Sequence, residues 1–347
     1  MRVAIIIPAI AQAGPVLVMK FLTDELLKSE EHFIKVYYID KNVDPDLHFS
    51  VPVERLFPGR FPFDDFDIIH TNGLRPDLFA FMNRKKIKYH IATIHNFVFE
   101  DLSFRYSWIV SELLANFWLT LWKKADKLIC VSGAMMDYYL KWFPDTKLAV
   151  IYNGIPEQSI DTIPDIEIFQ KADQFHSRGF TVIGVACNLN KGKGIDILIK
   201  QMVKATEFAL IIIGDGHELL NLKEMTRRLN INDRCYFPGF ISNAVNYLKY
   251  LDLFIVPSRS EGFCLSLIGA VQQKTPVVCS DIPVFRELFD KEEVTFFDLD
   301  NTDSLATALQ IAKSIGKSKI DLAYIKYRNQ YTSWLMAQKY IKLYQSA

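Results

Sequence analysis

Residues 252–281 read DLFIVPSRSEGFCLSLIGAVQQKTPVVCSD. The apolar run Asp252–Pro257 predicts a buried strand, and residues Leu265–Val271 predict a short helix that packs on a sheet. Thr275-Pro276 ends that helix, and Val277–Ser280 predicts the next strand. A strand, a helix and a second strand in this order are typical of an open α/β sheet with parallel strands.

A charged residue and a glycine, Glu261 and Gly262, follow the first of these strands. Ligands of open α/β sheets bind at the carboxyl ends of the strands. A helix that begins just after Gly262 would direct N–H groups and its positive end towards a bound anion. The carboxylate of Glu261 repels an anion but is suited to accept hydrogen bonds from hydroxyl groups. A nucleotide sugar offers an anion next to a polyol, and an ordinary strand–helix–strand unit with a solvated glutamate is the alternative.

The stretch resembles the signature of the family 4 retaining glycosyltransferases. That signature runs Glu-Gly-Phe-Gly-Leu, then Glu-Ala four residues later, then Gly-x-Pro-Val-Val. The matching residues are Glu261, Gly262, Phe263, Leu265, Ala270, Pro276, Val277 and Val278. Cys264 and Lys274 replace glycines, and Gly269 replaces the second glutamate. The resemblance implies that this glutamate holds the nucleotide ribose, so Gly269 leaves ribose recognition, and activity with it, an open question.

The composition agrees with a globular protein of two domains. The chain has 347 residues, of which 50% are hydrophobic, and a formal net charge of zero, which argues against nucleic acid as the main partner. Its 5 cysteines are scattered without a C-x-x-C pair, so neither a disulfide framework nor a zinc site is indicated, and a reducing cytoplasm is the expected location. The apolar run at Val3–Ile10 imitates a signal peptide, but Pro8 and its short length favour a first buried strand.

Apolar runs in the amino-terminal half predict a series of strands. These runs are Val3–Pro8, Lys35–Asp40, Phe66–His70, Lys88–Ile94 and Asp126–Ser132. The loop Ala11–Pro15, which contains Gly14, joins the first run to a predicted helix Val16–Lys28, an arrangement that suits a phosphate as well as a plain turn. His95 follows a strand, where it could meet a ligand, and by resemblance it corresponds to the family's histidine beside the donor sugar. Asp65-Phe-Asp67 imitates a metal-binding D-x-D motif, but it precedes a strand and is interpreted as capping and solvated.

The polar segment Asp161–Gly179 predicts a linker, after which Thr181–Ala186 begins a second series of strands. Residues 187–194 read CNLNKGKG, and lysines among glycines between a strand and a helix suit a diphosphate. A solvated loop is the alternative. By resemblance Lys193 matches the lysine of Arg-Leu-x-x-x-Lys-Gly, whereas Asn188 stands in place of the arginine.

Further matches lie later in the chain. Leu210–Ile213 predicts a strand that ends in a turn at Gly214, and Tyr236–Ile241 resembles the strand and loop on which the family seats the base. The segment Tyr331–Tyr344 predicts a helix with apolar Trp334, Leu335, Met336, Tyr340 and Tyr344. It is similar to the terminal helix that crosses back to the first domain in proteins with the GT-B fold, which is the fold of this family. We therefore expect an amino-terminal domain 1–170, a donor-binding domain 171–325 and a terminal helix 326–347.

Tryptophan and lysine occur together in Trp108–Lys124, and a second basic cluster is Arg84–Lys88. This composition is typical of a helix at a membrane interface. An aromatic stripe in a hydrophobic core is the alternative.

The resemblance covers nearly the whole chain and implies the GT-B fold, with two Rossmann-like doubly wound α/β domains facing a cleft. It implies transfer of a sugar, with retention, from a UDP- or GDP-linked donor to a saccharide or lipid-linked saccharide in bacterial surface-polysaccharide assembly, without a metal. The implied catalytic residues are His95, Lys193 and Glu261. The implied donor-binding residues are Gly14, Asn188, Gly214, Phe240, Ile241, Gly262, Phe263, Cys264, Leu265 and Gly269.

Two alternatives remain open, a nucleotide-sugar epimerase of the same fold and a binding subunit weakened at Asn188 and Gly269. A dinucleotide dehydrogenase is disfavoured because no G-x-G-x-x-G occurs at a strand–helix junction.

Overall fold

The computed structural model describes residues 1–28, 32–41, 43–157 and 166–347. The chain forms two compact units. Unit 1 contains Met1–Pro156 and Gln330–Ala347, and unit 2 contains Glu157–Asn329.

Unit 1 is built on a seven-stranded sheet. Its strands are β1 (Arg2–Ile7), β2 (Phe33–Tyr38), β3 (Val53–Arg55), β4 (Ile68–Asn72), β5 (Tyr89–Ile94), β6 (Lys127–Cys130) and β7 (Leu148–Val150). Its first helices are α1 (Gly14–Leu27), α2 (Leu74–Met82), α3 (Val98–Ser103), α4 (Trp108–Trp122) and α5 (Gly133–Tyr139). The strand order is β3-β2-β1-β4-β5-β6-β7, so the direction of winding reverses between β1 and β4.

Unit 2 is built on a six-stranded sheet in the order β10-β9-β8-β11-β12-β13, which reverses between β8 and β11. Its strands are β8 (Thr181–Ala186), β9 (Phe208–Ile213), β10 (Cys235–Gly239), β11 (Leu253–Val256), β12 (Val277–Ser280) and β13 (Thr295–Phe297). Its helices are α6 (Ile166–Ser177), α7 (Ile195–Gln201), α8 (Leu219–Arg228), α9 (Leu265–Gln272), α10 (Pro283–Leu288) and α11 (Thr302–Gln330), and the chain ends with α12 (Ser333–Gln345) in unit 1.

Strand pairings between the named strands of both sheets are parallel. Residues Val3–Ile7 of β1 are fully buried, because helices cover both faces of a parallel sheet. The predicted doubly wound α/β fold is therefore confirmed in each unit. The first apolar run is a buried strand, as predicted.

The terminal helix α12 lies on the same face of the unit 1 sheet as α1. The Tyr340 hydroxyl lies 3.0 Å from Thr93 Oγ1, and the Tyr344 hydroxyl lies 2.8 Å from His70 Nδ1. Both tyrosines are fully buried. The prediction of a terminal helix on the amino-terminal domain is confirmed, and the predicted Met336, Tyr340 and Tyr344 are buried in it, whereas Trp334 is 54% exposed.

The predicted linker is wrong where the structure describes it. Residues Ile166–Ser177 form α6, whose buried Ile168, Ala172 and Phe175 follow the spacing of a helix face. Residues 161–165 lie outside the described part of the chain. The long helix α11 and the short strands β3, β7 and β13 were not predicted.

The tryptophans of α4 have different environments. Trp118 and Trp122 donate their indole N–H groups to Asp77 Oδ2 over 2.7 and 2.8 Å, and Trp122 is buried. Trp108, by contrast, is 77% exposed. Exposed apolar residues of α4 also include Ile109, Leu113 and Phe117. The aromatic stripe is therefore buried at Trp122 and half-buried at Trp118, and the exposed apolar face consists of other residues.

Candidate active site

The loops that follow β8 and β11, residues 187–194 and 257–264, lie at the point where the winding of the unit 2 sheet reverses. In doubly wound sheets, the two loops at this point diverge and leave a crevice for a ligand. Both loops carry residues that the sequence marks as site residues.

A buried ion pair joins the two loops. Lys193 Nζ lies 2.6 Å from Glu261 Oε1, and the Ser258 hydroxyl donates to the same oxygen over 2.8 Å. Glu261 is only 9% exposed. Burial lowers the pKa of the Lys193 ammonium, but the Glu261 carboxylate and nearby thiols outweigh burial, so the net pKa is raised. Lys193 is therefore a permanent cation at the strand ends, held by a carboxylate that a ligand could replace.

Gly194 lets the two loops approach each other. Its φ of +66° lies in the left-handed region, and a Cβ built there would lie 1.9 Å from the carbonyl oxygen of Pro257. No L-residue with a side chain fits both conditions without displacing the backbone.

Arg259, in the loop after β11, holds the loop of residues 187–194 in place. Its guanidinium makes two bonds of 2.9 Å to the Asp196 carboxylate and donates to the Lys191 carbonyl over 2.5 Å. Its backbone N–H donates to the Gly192 carbonyl over 2.7 Å. Planar two-point pairing of this kind fixes orientation as well as distance. The sequence did not predict Arg259, Asp196 and Ser258 as site residues, although Ser258-Arg259 lies directly before the signature.

The loops after β9 and β10 complete the strand ends. The Gly214 N–H donates to the Gly239 carbonyl over 2.8 Å, and the Leu189 N–H donates to the Asp215 carbonyl over 2.8 Å. Phe240 follows β10 and is 55% exposed, whereas Ile241 is half-buried. Unit 2 thus brings the residues predicted to contact the base to the same sheet edge as Lys193.

The start of α9 is lined by buried residues of the signature. Gly262, Phe263 and Cys264 are buried and Leu265 is half-buried. Burial raises the pKa of the Cys264 thiol to about 11, so this cysteine is a protonated packing residue at neutral pH. Asn188 is exposed and accepts a hydrogen bond from Asn190. It brings no positive charge to the place where the family motif has one.

Two predicted site residues lie in unit 1. His95 follows β5, and its Nε2 lies 2.9 Å from Asn72 Oδ1. Burial lowers the pKa of His95 to about 4, so its ring is neutral at neutral pH. Gly14 is the exposed first residue of α1, and Ala13 before it offers no side-chain cap.

The D-x-D segment is tied to the start of β1. Asp67 Oδ2 accepts from the Arg2 N–H over 2.9 Å, and the Asp65 carbonyl accepts from Arg2 Nε over 2.6 Å. The bond from Arg2 lowers the pKa of Asp67. This agrees with its interpretation as a capping segment. Within the described ranges, no group of three or more His, Cys, Asp or Glu residues could hold a metal ion.

Comparison with known proteins gives the family. Residues 15–159 match the model described as Glycosyltransferase Family 4, and residues 167–329 match that of Glycosyl transferases group 1. The O-antigen biosynthesis glycosyltransferase WclY of Escherichia coli is 32% identical over 99% of this chain and 98% of its own length. The chain belongs to the family 4 glycosyltransferases.

More distant relatives of this glycosyltransferase agree. An Escherichia coli UDP-Gal:alpha-D-GlcNAc-diphosphoundecaprenol alpha-1,3-galactosyltransferase is 24% identical over 71% of this chain and 66% of its own length. The crystal structure of Anabaena HepE in complex with UDP and glucose has a TM-score of 0.85 and 17% identity, and each chain is covered completely. At this identity the likeness shows the fold alone, which is GT-B.

In this glycosyltransferase, Gly269 is a packing residue. A Cβ built at Gly269 would lie 2.7 and 3.0 Å from the two γ-methyl groups of Val245, in the 3₁₀ segment Ala244–Tyr250. The side chain of valine is stiff, so it cannot turn aside easily. The space next to position 269, where the family signature has a glutamate, is therefore occupied by Val245.

Gly269→Glu is consequently expected to weaken UDP or GDP binding and to lower the melting temperature, because the new side chain displaces Val245 and buries a carboxylate. The expected loss of stability is about 1–3 kcal/mol. Val245→Ala in the same chain should restore most of the stability. A Gly269→Glu single variant that binds nucleotide more tightly and turns over faster would contradict this expectation and favour a degraded ribose site.

Proposed function

We propose that this glycosyltransferase moves a sugar from a nucleoside diphosphate to a hydroxyl group of a saccharide with retention at the anomeric carbon. The observation that carries the proposal is the Lys193–Glu261 pair at the reversal point of the unit 2 sheet. It sets a cation, suited to the diphosphate, next to a carboxylate, suited to sugar hydroxyl groups.

In the proposed reaction, the bond between the anomeric carbon and the diphosphate oxygen breaks, and its electron pair leaves with the diphosphate. The acceptor oxygen bonds to the anomeric carbon from the same face, and its proton passes to the departing diphosphate. Catalysis must chiefly stabilise the growing negative charge. Lys193 and the amino-terminal end of α9 would do so, while Glu261 would hold hydroxyl groups of the donor sugar. In unit 1, the neutral His95 would form a hydrogen bond with a sugar hydroxyl group.

We further propose a lipid-linked saccharide acceptor in bacterial surface-polysaccharide assembly, at the cytoplasmic face of the membrane. The similarity to an O-antigen biosynthesis glycosyltransferase over the whole chain supports this. A relative named for a diphosphoundecaprenol acceptor supports a lipid-linked substrate.

A screen of UDP- and GDP-sugars by thermal shift, followed by turnover with and without a saccharide acceptor, tests the proposal. Transfer that needs the acceptor is the expected result. Interconversion of sugars without an acceptor would favour an epimerase, and nucleotide binding without any turnover would favour a weakened binding subunit. Analysis of the anomeric configuration of the product tests retention.

We also propose that the charge stabilisation needs no metal ion, since Lys193 is a cation held at the diphosphate site. Turnover should survive excess EDTA. Loss of turnover that Mg²⁺ or Mn²⁺ restores would contradict this and return Asp65 and Asp67 to consideration.

The exposed face of α4 supports a peripheral contact with an anionic membrane. We define the α4 face as Trp108, Ile109, Leu113 and Phe117. Exposed Lys123 and Lys124 follow the helix, and Arg84 Nε donates to the Lys124 carbonyl over 2.8 Å, which brings the basic residues of both clusters together. Exposed apolar side chains beside lysines fit lipid headgroups and the acyl boundary. No helix in the described ranges is long and apolar enough to span a bilayer.

The triple change Ile109→Ser, Leu113→Ser and Phe117→Ser is expected to abolish pelleting with phosphatidylglycerol vesicles, because each apolar side chain contributes about 1.5–3 kcal/mol when buried. Binding of the unchanged protein should also fall in high salt. Leu220→Ser, at an exposed leucine of unit 2, is the matched control and should leave pelleting unchanged. Absence of pelleting by the unchanged protein at low salt would contradict the proposal.

A further inference from the structure

Asn72 carries a buried polar atom without a partner. It ends β4, beside β1, where the winding of the unit 1 sheet reverses. The residue is 1% exposed, and its Oδ1 lies 2.9 Å from His95 Nε2. Its Nδ2 has no hydrogen-bond partner among the described residues. Buried amide groups of native proteins are almost always paired, so an orphaned donor at a ligand-binding edge calls for a partner from outside the fold.

The polar groups beneath Asn72 on the same face are paired. Asn72 is in register with Thr93, so their side chains and that of His95 lie on the face covered by α12. Thr93 bonds to Tyr340 and to His70, and His70 bonds to Tyr344. The row of hydrogen bonds is thus closed towards the interior and open at the carboxyl end of the strands.

Asn72 also sets the orientation of His95. The imidazole is neutral at neutral pH because burial lowers its pKa to about 4. An amide oxygen can only accept, so His95 Nε2 carries the hydrogen and donates to Asn72 Oδ1. His95 Nδ1 then holds a lone pair and can accept a hydrogen bond.

We propose that Asn72 and His95 form a saccharide-binding pair, in which Asn72 Nδ2 donates to one hydroxyl oxygen and His95 Nδ1 accepts from a hydroxyl group. A donor and an acceptor side by side match adjacent hydroxyl groups of a sugar. The saccharide is the donor sugar or the acceptor, and this part of the inference rests on the proposed function. The assignment makes Asn72 a binding residue as well as a positioning residue for His95.

Calorimetry and kinetics of Asn72→Ala and Asn72→Asp test the pair, with UDP, GDP, UDP-glucose, UDP-galactose and GDP-mannose as probes. Asp keeps an acceptor for His95 but removes the donor. Both variants should lose roughly tenfold or more in nucleotide-sugar affinity, or raise KM for the acceptor as much, while affinity for free UDP or GDP stays within about twofold. A loss of nucleotide-sugar affinity would show that the pair binds the donor sugar, and a raised KM for the acceptor would show that it binds the acceptor. Asn83→Ala, whose amide donates to the Phe79 carbonyl, is the control and should change neither quantity.

Unchanged sugar affinity and KM in both variants, or a parallel loss of free nucleotide affinity, would overturn the inference. Full retention in Asn72→Asp alone would overturn the donor role of Nδ2. Long-range ¹H–¹⁵N NMR spectra of the unchanged protein report which ring nitrogen of His95 carries the hydrogen, and this measurement does not depend on turnover. Hydrogen on Nε2 is expected, and hydrogen on Nδ1 would refute the assignment even if glycosyl transfer is established.

Discussion

Lys193→Ala is expected to lower turnover by about 10²–10³-fold, the usual effect of removing one group that stabilises developing charge. Affinity for free UDP or GDP should fall as well, by roughly 1.5–3 kcal/mol. The physical reason is that Lys193 is a half-buried cation at the reversal point of the unit 2 sheet, and its Nζ is held 2.6 Å from Glu261 Oε1. Calorimetry with the free nucleotide and steady-state kinetics measure the two effects.

The control for this variant is Lys191→Ala. Lys191 lies on the same loop but is exposed, so its loss should change nucleotide affinity only by the small effect of a solvated charge. The loop itself should stay closed in both variants, because Arg259 bonds to the Lys191 carbonyl and to Asp196 without using either lysine side chain. Equal nucleotide affinity in Lys193→Ala and the unchanged protein, with both folded, would remove Lys193 from the site.

The sequence predicted unit 2 around the signature almost residue by residue. Predicted Val277–Ser280 is β12, and predicted Leu265–Val271 differs from α9 by one residue. Short apolar runs rich in β-branched residues and bounded by proline favour buried strands of a parallel sheet, which explains this accuracy. Strands β3, β7 and β13 were not predicted because three residues are too few to show the alternation of a strand.

The failure to predict helix α6 has a different cause, because the sequence does contain the spacing of apolar residues that is typical of a helix. Ile168, Ala172 and Phe175 recur at helical spacing inside a segment that is polar on average. Average polarity describes the exposed side of a helix, whereas the period of the few apolar residues describes the buried side. The second observation decides the structure.

The site was predicted as a set of residues and not as a set of contacts. Lys193 and Glu261 are 68 positions apart, and their pairing depends on β8 and β11 being neighbours in the sheet. Arg259 was not predicted because its pairing with Asp196 also depends on the contact between these two loops. The sequence left Trp108–Lys124 open between a membrane interface and a hydrophobic core for the same reason, since Trp118 bonds to Asp77, which lies 41 positions away.

Loss of the Asp77 side chain is expected to destabilise unit 1 strongly. It is 1% exposed, and it accepts from both indoles and, over 2.5 Å, from the Thr71 hydroxyl. Asp77→Ala leaves these buried donors without an acceptor, so a loss of about 3–5 kcal/mol in the free energy of unfolding is expected. Chemical denaturation measures it.

Asp77→Asn is the matched control and should stay within about 1 kcal/mol of the unchanged protein at neutral pH. The amide oxygen can accept from both tryptophans, and its NH₂ can donate to Thr71 Oγ1. The Thr71 hydroxyl would then donate to His90 Nε2, 2.9 Å away, once the His90 hydrogen moves to Nδ1, an atom without a partner among the described residues. A loss in Asp77→Asn as large as in Asp77→Ala would show that shape, not hydrogen bonding, matters here.

The difference in pH dependence between the unchanged protein and Asp77→Asn reports mainly the titration of Asp77. Burial raises the pKa of Asp77 from 3.8 to about 6, although the hydrogen bonds from Thr71 and the tryptophans oppose the rise. A carboxyl whose pKa is raised by folding contributes stability that is complete below the unfolded pKa and is lost as pH rises through the folded pKa. The unchanged protein should therefore lose roughly 3 kcal/mol relative to Asp77→Asn between about pH 3 and pH 7, of which about 2 kcal/mol falls between pH 4 and pH 6. His70 and His90, whose pKa values burial lowers to about 3, and His95, whose pKa it lowers to about 4, remain in both proteins, so most of their acid destabilisation cancels in the difference. Parallel stability curves for the two proteins across this range would mean that Asp77 titrates as an exposed carboxylate does, and that the indole and hydroxyl donors fully offset its burial.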